Sequence, residues 1–500
     1  MDIFKVIAGT NDWYVIYPEI GLGILALVIL MIDVLVPKKK EGLIPGIAIG
    51  GQIIIFVGLI LGPQALTGDY FGGMIRIGAF TQVIRIFFLV SSLLVSYLGI
   101  LYFAKQKSLP RSEFYALVTV VTAGMMLLVE SSNFVMLFIA LETVTVGLLI
   151  LVAYSRTSEF SLEAGLKFLI LGALSSALLL FGIVLLYGVG GNPDLPAHTI
   201  DAMNFRALGY FIEANDSNLL VKMGVVLIIC GLSFKIGAFP FQIWIPDVYQ
   251  GAPTPVTAFL AVSSKAAGIF VLFNLVRGPF FPLEDFLIPL ISAIAMVSIL
   301  FANVAALSQN NLKRLMGLSG VSHAGYLLIG IVASFSVNWA ILAIIFYLFT
   351  YLLGSYGVFC IMGHMSTEAD EDQRMEDYQD FAKNNRLLGT GLLVGIGSLA
   401  GIPPLAGFIG KLLLFIVAFE AKLYFLLGVA IIGVVISIYY YFGWLRDAFF
   451  SIWGESKNSE DLQRKQTIVM SFPHKAILAL IIIGTVLLGV YQDVFGNLFF

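Results

Sequence analysis

Long apolar runs follow one another through almost the whole chain. A helix of about 20 residues rises ~30 Å, which matches the hydrocarbon core of a bilayer. Hydrophobic residues make up 59% of the 500 residues and charged residues 12%, both outside the usual range of soluble domains. The sequence therefore predicts an all-α polytopic membrane protein, surrounded by the lipid bilayer. Fourteen spans are predicted, at residues 18–36, 43–62, 80–104, 113–130, 133–154, 163–188, 221–243, 255–276, 286–307, 312–333, 338–363, 387–419, 424–446 and 474–495.

Basic residues in the connecting loops predict the side on which each loop lies. Loops after odd-numbered spans hold seventeen of the 28 lysines and arginines, whereas the opposite side holds six. Because cytoplasmic loops carry the excess of basic residues, both termini are expected on the outer side of a bacterial cytoplasmic membrane. The first run is followed by Pro37 and three lysines instead of a small-residue cleavage site, so we expect a retained helix and not a signal peptide.

Two of the apolar runs contain helix-breaking residues at membrane depth. Pro240 follows Lys235 in the seventh run, and Pro403 and Pro404 precede Lys411 in the twelfth. Proline removes an amide donor and clashes with the preceding turn, so both helices are expected to break there. The breaks lie five spans apart, which predicts two five-helix repeats of inverted topology, each with a broken helix. The predicted divisions are an N-terminal three-helix segment at 1–112, the repeats at 113–284 and 285–446, and a cytoplasmic loop with the final span at 447–500.

Ionisable residues inside or at the edge of the spans are the candidate functional groups. A lysine at the bilayer centre costs at least ~2.5 kcal/mol, so charges kept there are expected to serve a function. Burial disfavours a charged lysine and a nearby carboxylate restores it, while histidine exchanges protons near neutral pH, so the set predicts stepwise proton transfer. The candidates are Glu142, Lys167, Lys235, Lys265, His323 and Lys411.

Structural explanations for the same residues stay open. Lys167 follows Glu163 by four residues, which also suits an ordinary ion pair on a helix surface. His323 alone is equally typical of a packed, hydrogen-bonded helix residue. For the deeper charges the alternative is a static ion pair that fixes helix packing.

Other sequence features argue against metal and redox centres in this chain. Cys230 and Cys360 stand alone in apolar spans and are expected to be small buried hydrophobic residues. The acidic segment 368–380 does not match an EF-hand loop and is expected to be a solvated connection, and the segment 190–220 is long enough for a small structured cap. The sequence contains no Rossmann glycine fingerprint, flavin site or pattern of cluster ligands, so no cofactor, metal or nucleic acid is expected to bind here.

Four stretches resemble a known family: EAGLKFLILGALSSALLLFG from Glu163, FKIGAFPFQIWIPDVYQGAPTPVTAFLAVSSK from Phe234, NLKRLMGLSGVSHAGYLL from Asn311 and GIPPLAGFIGKLLLF from Gly401. Over nearly the whole chain the sequence resembles the antiporter-like subunits of respiratory complex I, NADH:quinone oxidoreductase, and most closely their N type. The resemblance implies a proton-translocating, non-redox subunit of that enzyme. It also implies that other subunits bind FMN, iron–sulfur clusters and quinone, and that the partners are other membrane-arm subunits.

The resemblance also implies roles for individual residues. Glu142 and Lys235 would form a paired switch, and Lys265 would be a central bridging lysine. Protons would enter from the cytoplasm near Lys265, pass His323 and leave at Lys411, while Lys167 matches a family position of less defined role. The motifs are shared with Mrp-type cation/proton antiporters and with membrane-bound hydrogenase subunits, which remain alternatives. In a purely structural scaffold the same charges would be static ties.

Overall fold

The computed structural model describes residues 9–35, 42–62, 67–450 and 470–492. In these ranges thirteen helices are long and apolar enough to cross a membrane. The predicted twelfth span is present as two shorter helices, Arg386–Ala400 and Ala406–Glu420. The prediction of an all-α membrane protein is therefore confirmed. Pro37 and the lysines after it, and most of the predicted cytoplasmic loop before the last span, lie outside the described residues.

The helices before the first break, with one short hairpin, form the first part of the chain. Strands β1 (Gly68–Tyr70) and β2 (Ile75–Ile77) pair antiparallel ahead of the third long helix. The helices are α1 (Tyr17–Leu35), α2 (Ile44–Leu61), α3 (Ala79–Lys105), α4 (Ser112–Glu130), α5 (Phe134–Val152), α6 (Glu159–Gly190), α7 (Phe205–Ala214) and α8 (Leu219–Ile236).

The remaining helices follow the break after α8. They are α9 (Ile245–Gly251), α10 (Thr254–Arg277), α11 (Glu284–Ala306), α12 (Leu312–Ala333), α13 (Ala340–Met365), α14 (Phe381–Asn384), α15 (Arg386–Ala400), α16 (Ala406–Glu420), α17 (Tyr424–Phe449) and α18 (Phe472–Val490). One span is irregular, because α10 contains a π-helical turn at Leu260–Ser264.

Asparagine side chains begin several of these helices. Asn133 Oδ1 accepts from the Val135 amide at the start of α5, and Asn311 Oδ1 accepts from the amides of Lys313 and Arg314 at the start of α12. The first amides of a helix lack partners within the helix, and a side-chain oxygen at the N-cap supplies one. These caps explain why α5 and α12 each begin directly after a polar residue of the preceding loop.

The chain divides into two compact units. The first contains residues up to 244 together with 251–294, and the second contains 245–250 together with the residues from 295 onwards. In the first unit α6 packs along α8, and α4 packs against α1 and α5. Glycines allow the close approach of α6 and α8, since a Cβ on Gly182 would lie 2.6 Å from the Gly224 carbonyl oxygen. In the second unit α13 contacts α15, α16 and α18.

Both predicted helix breaks are present, and each begins at a glycine. Helix α8 ends at Ile236, followed by Gly237 at φ 76°, and α15 ends at Ala400, followed by Gly401 at φ 85°. Glycine adopts this left-handed conformation without the clash that a Cβ would cause. The helix in the seventh run therefore ends before Pro240 is reached. The inverted symmetry of the two repeats and the domain boundaries stay predictions.

Two connecting segments have structure of their own. The segment 190–220 contains α7, in agreement with the expected cap. The acidic segment was expected to be solvated, but Asp370 is buried and its Oδ2 accepts from Lys313 Nζ at 2.7 Å. The expectation is wrong at this residue, because Lys313 is itself fully buried and requires a carboxylate partner.

Candidate functional site

Lys235 lies in the last turn of α8, next to the break. Its Nζ donates to Thr145 Oγ1 on α5 at 2.6 Å, and the Thr145 hydroxyl donates to the Leu141 carbonyl at 2.7 Å. Trp244 Nε1 donates to the Phe234 carbonyl at 3.2 Å. The indole thus satisfies a carbonyl near the end of the helix, as broken helices at membrane depth require.

Glu142 lies three residues before Thr145 on α5 and is half-buried. Its Oε1 accepts from Ser176 Oγ on α6 at 2.5 Å. Among the described residues, Lys235 donates its hydrogen bond to Thr145 and not to Glu142. Lys235 therefore contacts α5 about one turn from Glu142, and each member of the expected switch has its own hydroxyl partner, Thr145 for Lys235 and Ser176 for Glu142. Neither hydroxyl group was predicted from the sequence, although Thr145 follows Glu142 at helical spacing.

Lys265 is fully buried and directly follows the π-helical turn of α10. A Cβ on Gly268 would lie 2.9 Å from Ile236 Cγ1 and 3.6 Å from Lys235 Cβ, so α10 approaches α8 closely at the break. Ser264 lines a small cavity together with Lys235 and Thr145. The first unit therefore gathers Glu142, Lys235 and the helix turn that carries Lys265 around one break.

Lys167 has a different environment. Its Nζ lies 2.6 Å from Glu163 Oε1, one turn earlier on α6, and its side chain is 38% exposed. This is the ordinary i, i+4 ion pair that the sequence left open. The structure does not place Lys167 among the residues that line the small cavity at the break.

His323 lies in α12 and is buried between two tyrosine hydroxyls. Its Nδ1 is 2.6 Å from the Tyr347 hydroxyl, and its Nε2 is 3.2 Å from the Tyr441 hydroxyl. A tyrosine hydroxyl both donates and accepts, so the site accommodates either neutral tautomer of the imidazole. The ring of Tyr351 lies beside it, tilted by 40°, with 4.8 Å between the ring centroids.

Lys411 lies in α16, just after the second break. Its Nζ donates to the carbonyl oxygens of Leu399 and Ala400 at 2.9 and 3.0 Å. These are the last two carbonyls of α15, where the helix dipole concentrates partial negative charge. The Nζ atom also lies 5.3 Å from the ring centroid of Tyr326. The amine is therefore held by helix-end dipoles and an aromatic face.

Tyr326 contacts both candidate residues of the second unit. Its ring lies 6.1 Å from that of His323, edge to face, and its centroid lies 5.3 Å from Lys411 Nζ. Near it, Asn303 Nδ2 donates to Ser322 Oγ at 2.8 Å, and the Tyr440 hydroxyl donates to Asn303 Oδ1 at 3.1 Å. These polar neighbours of Tyr326 were not predicted from the sequence. The pair Tyr347 and Tyr351 at helical spacing, and the run of tyrosines before Phe442, were signals that could have found it.

The buried ionisable side chains and their hydroxyl neighbours are groups that can exchange protons. Amines, an imidazole and hydroxyls each donate or accept hydrogen bonds, and Lys235, Glu142 and His323 each have a hydroxyl partner on another helix. The structure places every predicted candidate, brings all but Lys167 to a helix break or into the polar network of its unit, and adds hydroxyl groups that were not predicted.

Comparisons with known proteins place this geometry in a family. The sequence profile described as NADH:quinone oxidoreductase/Mrp antiporter, transmembrane, matches residues 131–437. NADH-quinone oxidoreductase subunit N 1 of Opitutus terrae is 53% identical over 500 residues, covering 99% of this chain and 98% of the relative. Subunit N 1 of Rhizobium meliloti is 34% identical over 476 residues, covering 94% of each chain.

A solved structure has the same fold along almost its whole length. A chain of respiratory complex I from Thermus thermophilus, determined with bound aureothin, superposes with a TM-score of 0.77 at 26% identity. The match covers 95% of this chain and 97% of the other. With broken helices, buried lysines and a sequence profile that spans more than half of its residues, the chain belongs to the NADH:quinone oxidoreductase/Mrp antiporter family of membrane proteins.

Proposed function

We propose that this chain is the N-type subunit in the membrane arm of a bacterial NADH:quinone oxidoreductase and that it translocates protons. The observation that carries the proposal is the burial of Lys411 on the end of a broken helix, with His323 joined to it through Tyr326. The relative named subunit N, at 53% identity, favours this assignment over an Mrp-type antiporter or a hydrogenase subunit.

In the first unit the proposed control element is the region of Lys235. The amine of Lys235 donates to the Thr145 oxygen, and Glu142 lies three residues before Thr145 on the same helix, so a proton on this amine interacts with both groups. Since Ser176 and Thr145 hold the two groups separately, a change of either hydroxyl rotamer would alter their electrostatic interaction. We assign Lys265, beside this break, the role of receiving protons from the cytoplasmic side.

In the second unit the proposed relay runs from His323 to Lys411. The hydroxyls of Tyr347 and Tyr441 can each give one proton to the imidazole and take another, because a hydroxyl donates and accepts. Lys411 would release its proton toward the outer side when its contact with the carbonyls of Leu399 and Ala400 weakens. Lys167, with its exposed ion pair, would contribute less.

The chemistry that drives translocation is proposed to lie in other subunits. FMN, iron–sulfur clusters and quinone would be bound there, and this chain would contribute no redox centre. Its partners would be neighbouring membrane-arm subunits in the bacterial cytoplasmic membrane, with both termini on the outer side. Co-purification tests this part: a complex that carries flavin and iron–sulfur subunits supports it, whereas only Mrp-like partners would overturn it.

Pumping by the intact complex tests the roles of the residues. In proteoliposomes, Lys235→Ala, Lys265→Ala and Glu142→Ala are each expected to lower the protons moved per NADH oxidised, measured with a pH-sensitive dye. Lys383→Ala is the control, because this lysine lies in a connection with its side chain 57% exposed. Normal pumping by all three assembled variants would show that the assignment is wrong.

A further inference from the structure

Three buried charges form a cluster that takes no part in the proposed relay. Arg85 lies near the start of α3, Glu19 near the start of α1, and Glu130 is the last residue of α4. Their exposed fractions are 2%, 4% and 1%. This cluster, here the carboxylate–arginine cluster, lies at the end of the first unit where α1 begins.

Both carboxylates bind the same side of one guanidinium. Arg85 Nε lies 3.0 Å from Glu19 Oε1, and it also donates to Glu130 Oε1. The Nη2 atom of Arg85 donates to Glu19 Oε2 at 3.1 Å and to the Val15 carbonyl at 3.0 Å. Because one nitrogen contacts an oxygen of each carboxylate, the two carboxyl groups necessarily lie close together.

The charges of the cluster do not balance when both acids are ionised. Two carboxylates against one guanidinium leave an excess negative charge at a buried site, and like charges so close oppose joint ionisation. In the described part of the chain, Glu130 Oε2 is buried without a hydrogen-bond donor, and Glu19 Oε1 has only its ion-pair contact with Arg85 Nε, which lacks hydrogen-bond geometry. A proton on one carboxyl would remove the excess charge and supply a missing donor at once.

The cluster also adjoins a route to water. Glu130 lines a cavity of about 1090 Å³ whose walls include residues of α7 and the hairpin. Besides Glu130, three arginines and five acids border this cavity, so it is suited to water and to proton exchange: Arg76, Arg206, Arg277, Asp69, Asp201, Glu213, Asp216 and Glu284. Asp69 is already paired with Arg76 at 2.8 Å. From α1, Tyr17 is the other titratable group that faces Arg85 and Glu19.

We propose that Glu19 and Glu130 share one exchangeable proton beside Arg85, and that this proton exchanges with water through the cavity. On binding, a proton from water adds to one carboxylate, and the resulting O–H donates to the facing carboxylate. On release, the same O–H bond breaks and the proton returns to water in the cavity. The inference goes beyond the proposed function, since none of the three residues belongs to the lysine and histidine relay.

Infrared spectroscopy of the purified complex in liposomes tests the shared proton. At neutral pH, the difference spectrum of wild type minus Glu130→Gln is expected to contain one C=O stretching band of a protonated carboxyl, which shifts in D₂O. Glu19→Gln should remove the same single band, because either acid is needed to share the proton. Glu113→Gln is the control, since that side chain is 49% exposed and should remove no such band.

One result would overturn the shared proton, and another would overturn its route through the cavity. Loss of only an ionised-carboxylate band in Glu19→Gln and Glu130→Gln would show that both acids are charged and would overturn the proposal. Glutamine keeps the shape and supplies a donor, so the variants are expected to assemble; if one does not, the other decides alone. Ala207 lines the cavity, so Ala207→Trp should narrow the cavity and slow the shift of the carboxyl band after transfer into D₂O. An unchanged exchange rate would overturn the route through the cavity.

Discussion

Lys411 Nζ lies 2.9 Å from the carbonyl oxygen of Leu399, so a side chain from one half of a broken helix caps the end of the other half. Lys411 therefore has two roles, because the amine proposed to release protons also stabilises the helix break. Its ammonium form is held by carbonyl dipoles, and its neutral form would leave these carbonyls with a weaker partner. A change of charge at Lys411 is therefore expected to affect the geometry of the break.

Lys411→Met should abolish proton release and also destabilise the break. Methionine fills a similar volume but leaves the carbonyls of Leu399 and Ala400 without a donor, at a cost of about 1–3 kcal/mol. Thermal unfolding of the complex and pumping in proteoliposomes measure the two effects. Lys383→Met is the control, because exposed ion pairs contribute roughly 0–1 kcal/mol. Equal melting temperatures of the two variants would contradict the capping role.

Tyr347→Phe should impair the relay at His323. The substitution removes the hydroxyl 2.6 Å from Nδ1 and leaves a buried ring nitrogen without that partner, at a cost of about 1–3 kcal/mol. Fewer protons should be pumped per NADH, and Tyr441→Phe should have a smaller effect because its contact is 3.2 Å. Tyr439→Phe is the matched control, since Tyr439 is 75% exposed. The prediction fails if Tyr347→Phe pumps as well as this control.

Thr145→Val tests whether the hydrogen bond of Lys235 is used. Valine keeps the branched shape but removes the oxygen that accepts from Nζ, so pumping is expected to fall toward the level of Lys235→Ala. Thr143→Val serves as the control, because that exposed hydroxyl donates only to the Ile139 carbonyl of its own helix. Normal pumping by Thr145→Val would mean that Lys235 works with Glu142 directly.

Asp370→Asn should destabilise the protein without a direct effect on the relay. The change leaves the buried ammonium of Lys313 without its counter-charge, which costs about 3–5 kcal/mol. Asp372→Asn is the matched control in the same segment, where an exposed pair with Arg374 is expected to contribute roughly 0–1 kcal/mol. Similar unfolding temperatures for both variants would show that the burial of Lys313 is compensated elsewhere.

Local sequence signals were sufficient for the spans and the breaks. An apolar run of membrane length predicts a helix by itself, and the prolines near Lys235 and Lys411 identify interruptions without knowledge of neighbouring helices. The position of each break was less predictable. The left-handed residues Gly237 and Gly401 end the helices, and glycine is too frequent in this chain to mark the site alone.

Partners of the buried charges could not be predicted, since they depend on packing between distant segments. Thr145 is 90 residues from Lys235, and Glu19 is 66 residues from Arg85. Asp370 was assigned to solvent because its segment is rich in charge, while the side chain that buries it comes from another helix. Nothing in residues 256–264 indicates a π-helical turn, since this stretch contains neither proline nor glycine.

The π-helical turn at Leu260–Ser264 divides α10 into two segments whose side chains differ in angular phase around the helix axis. A π-helical turn accommodates one extra residue, and each residue of an α-helix rotates by roughly 100°, so the segments before and after the turn present different faces to the same neighbour. Lys265 is the first residue of the second phase. Deletion of a single residue within 260–264 would bring the two phases into register and rotate one half of the helix away from its packing surface. The number of residues in this turn thus determines which face of α10 carries Lys265.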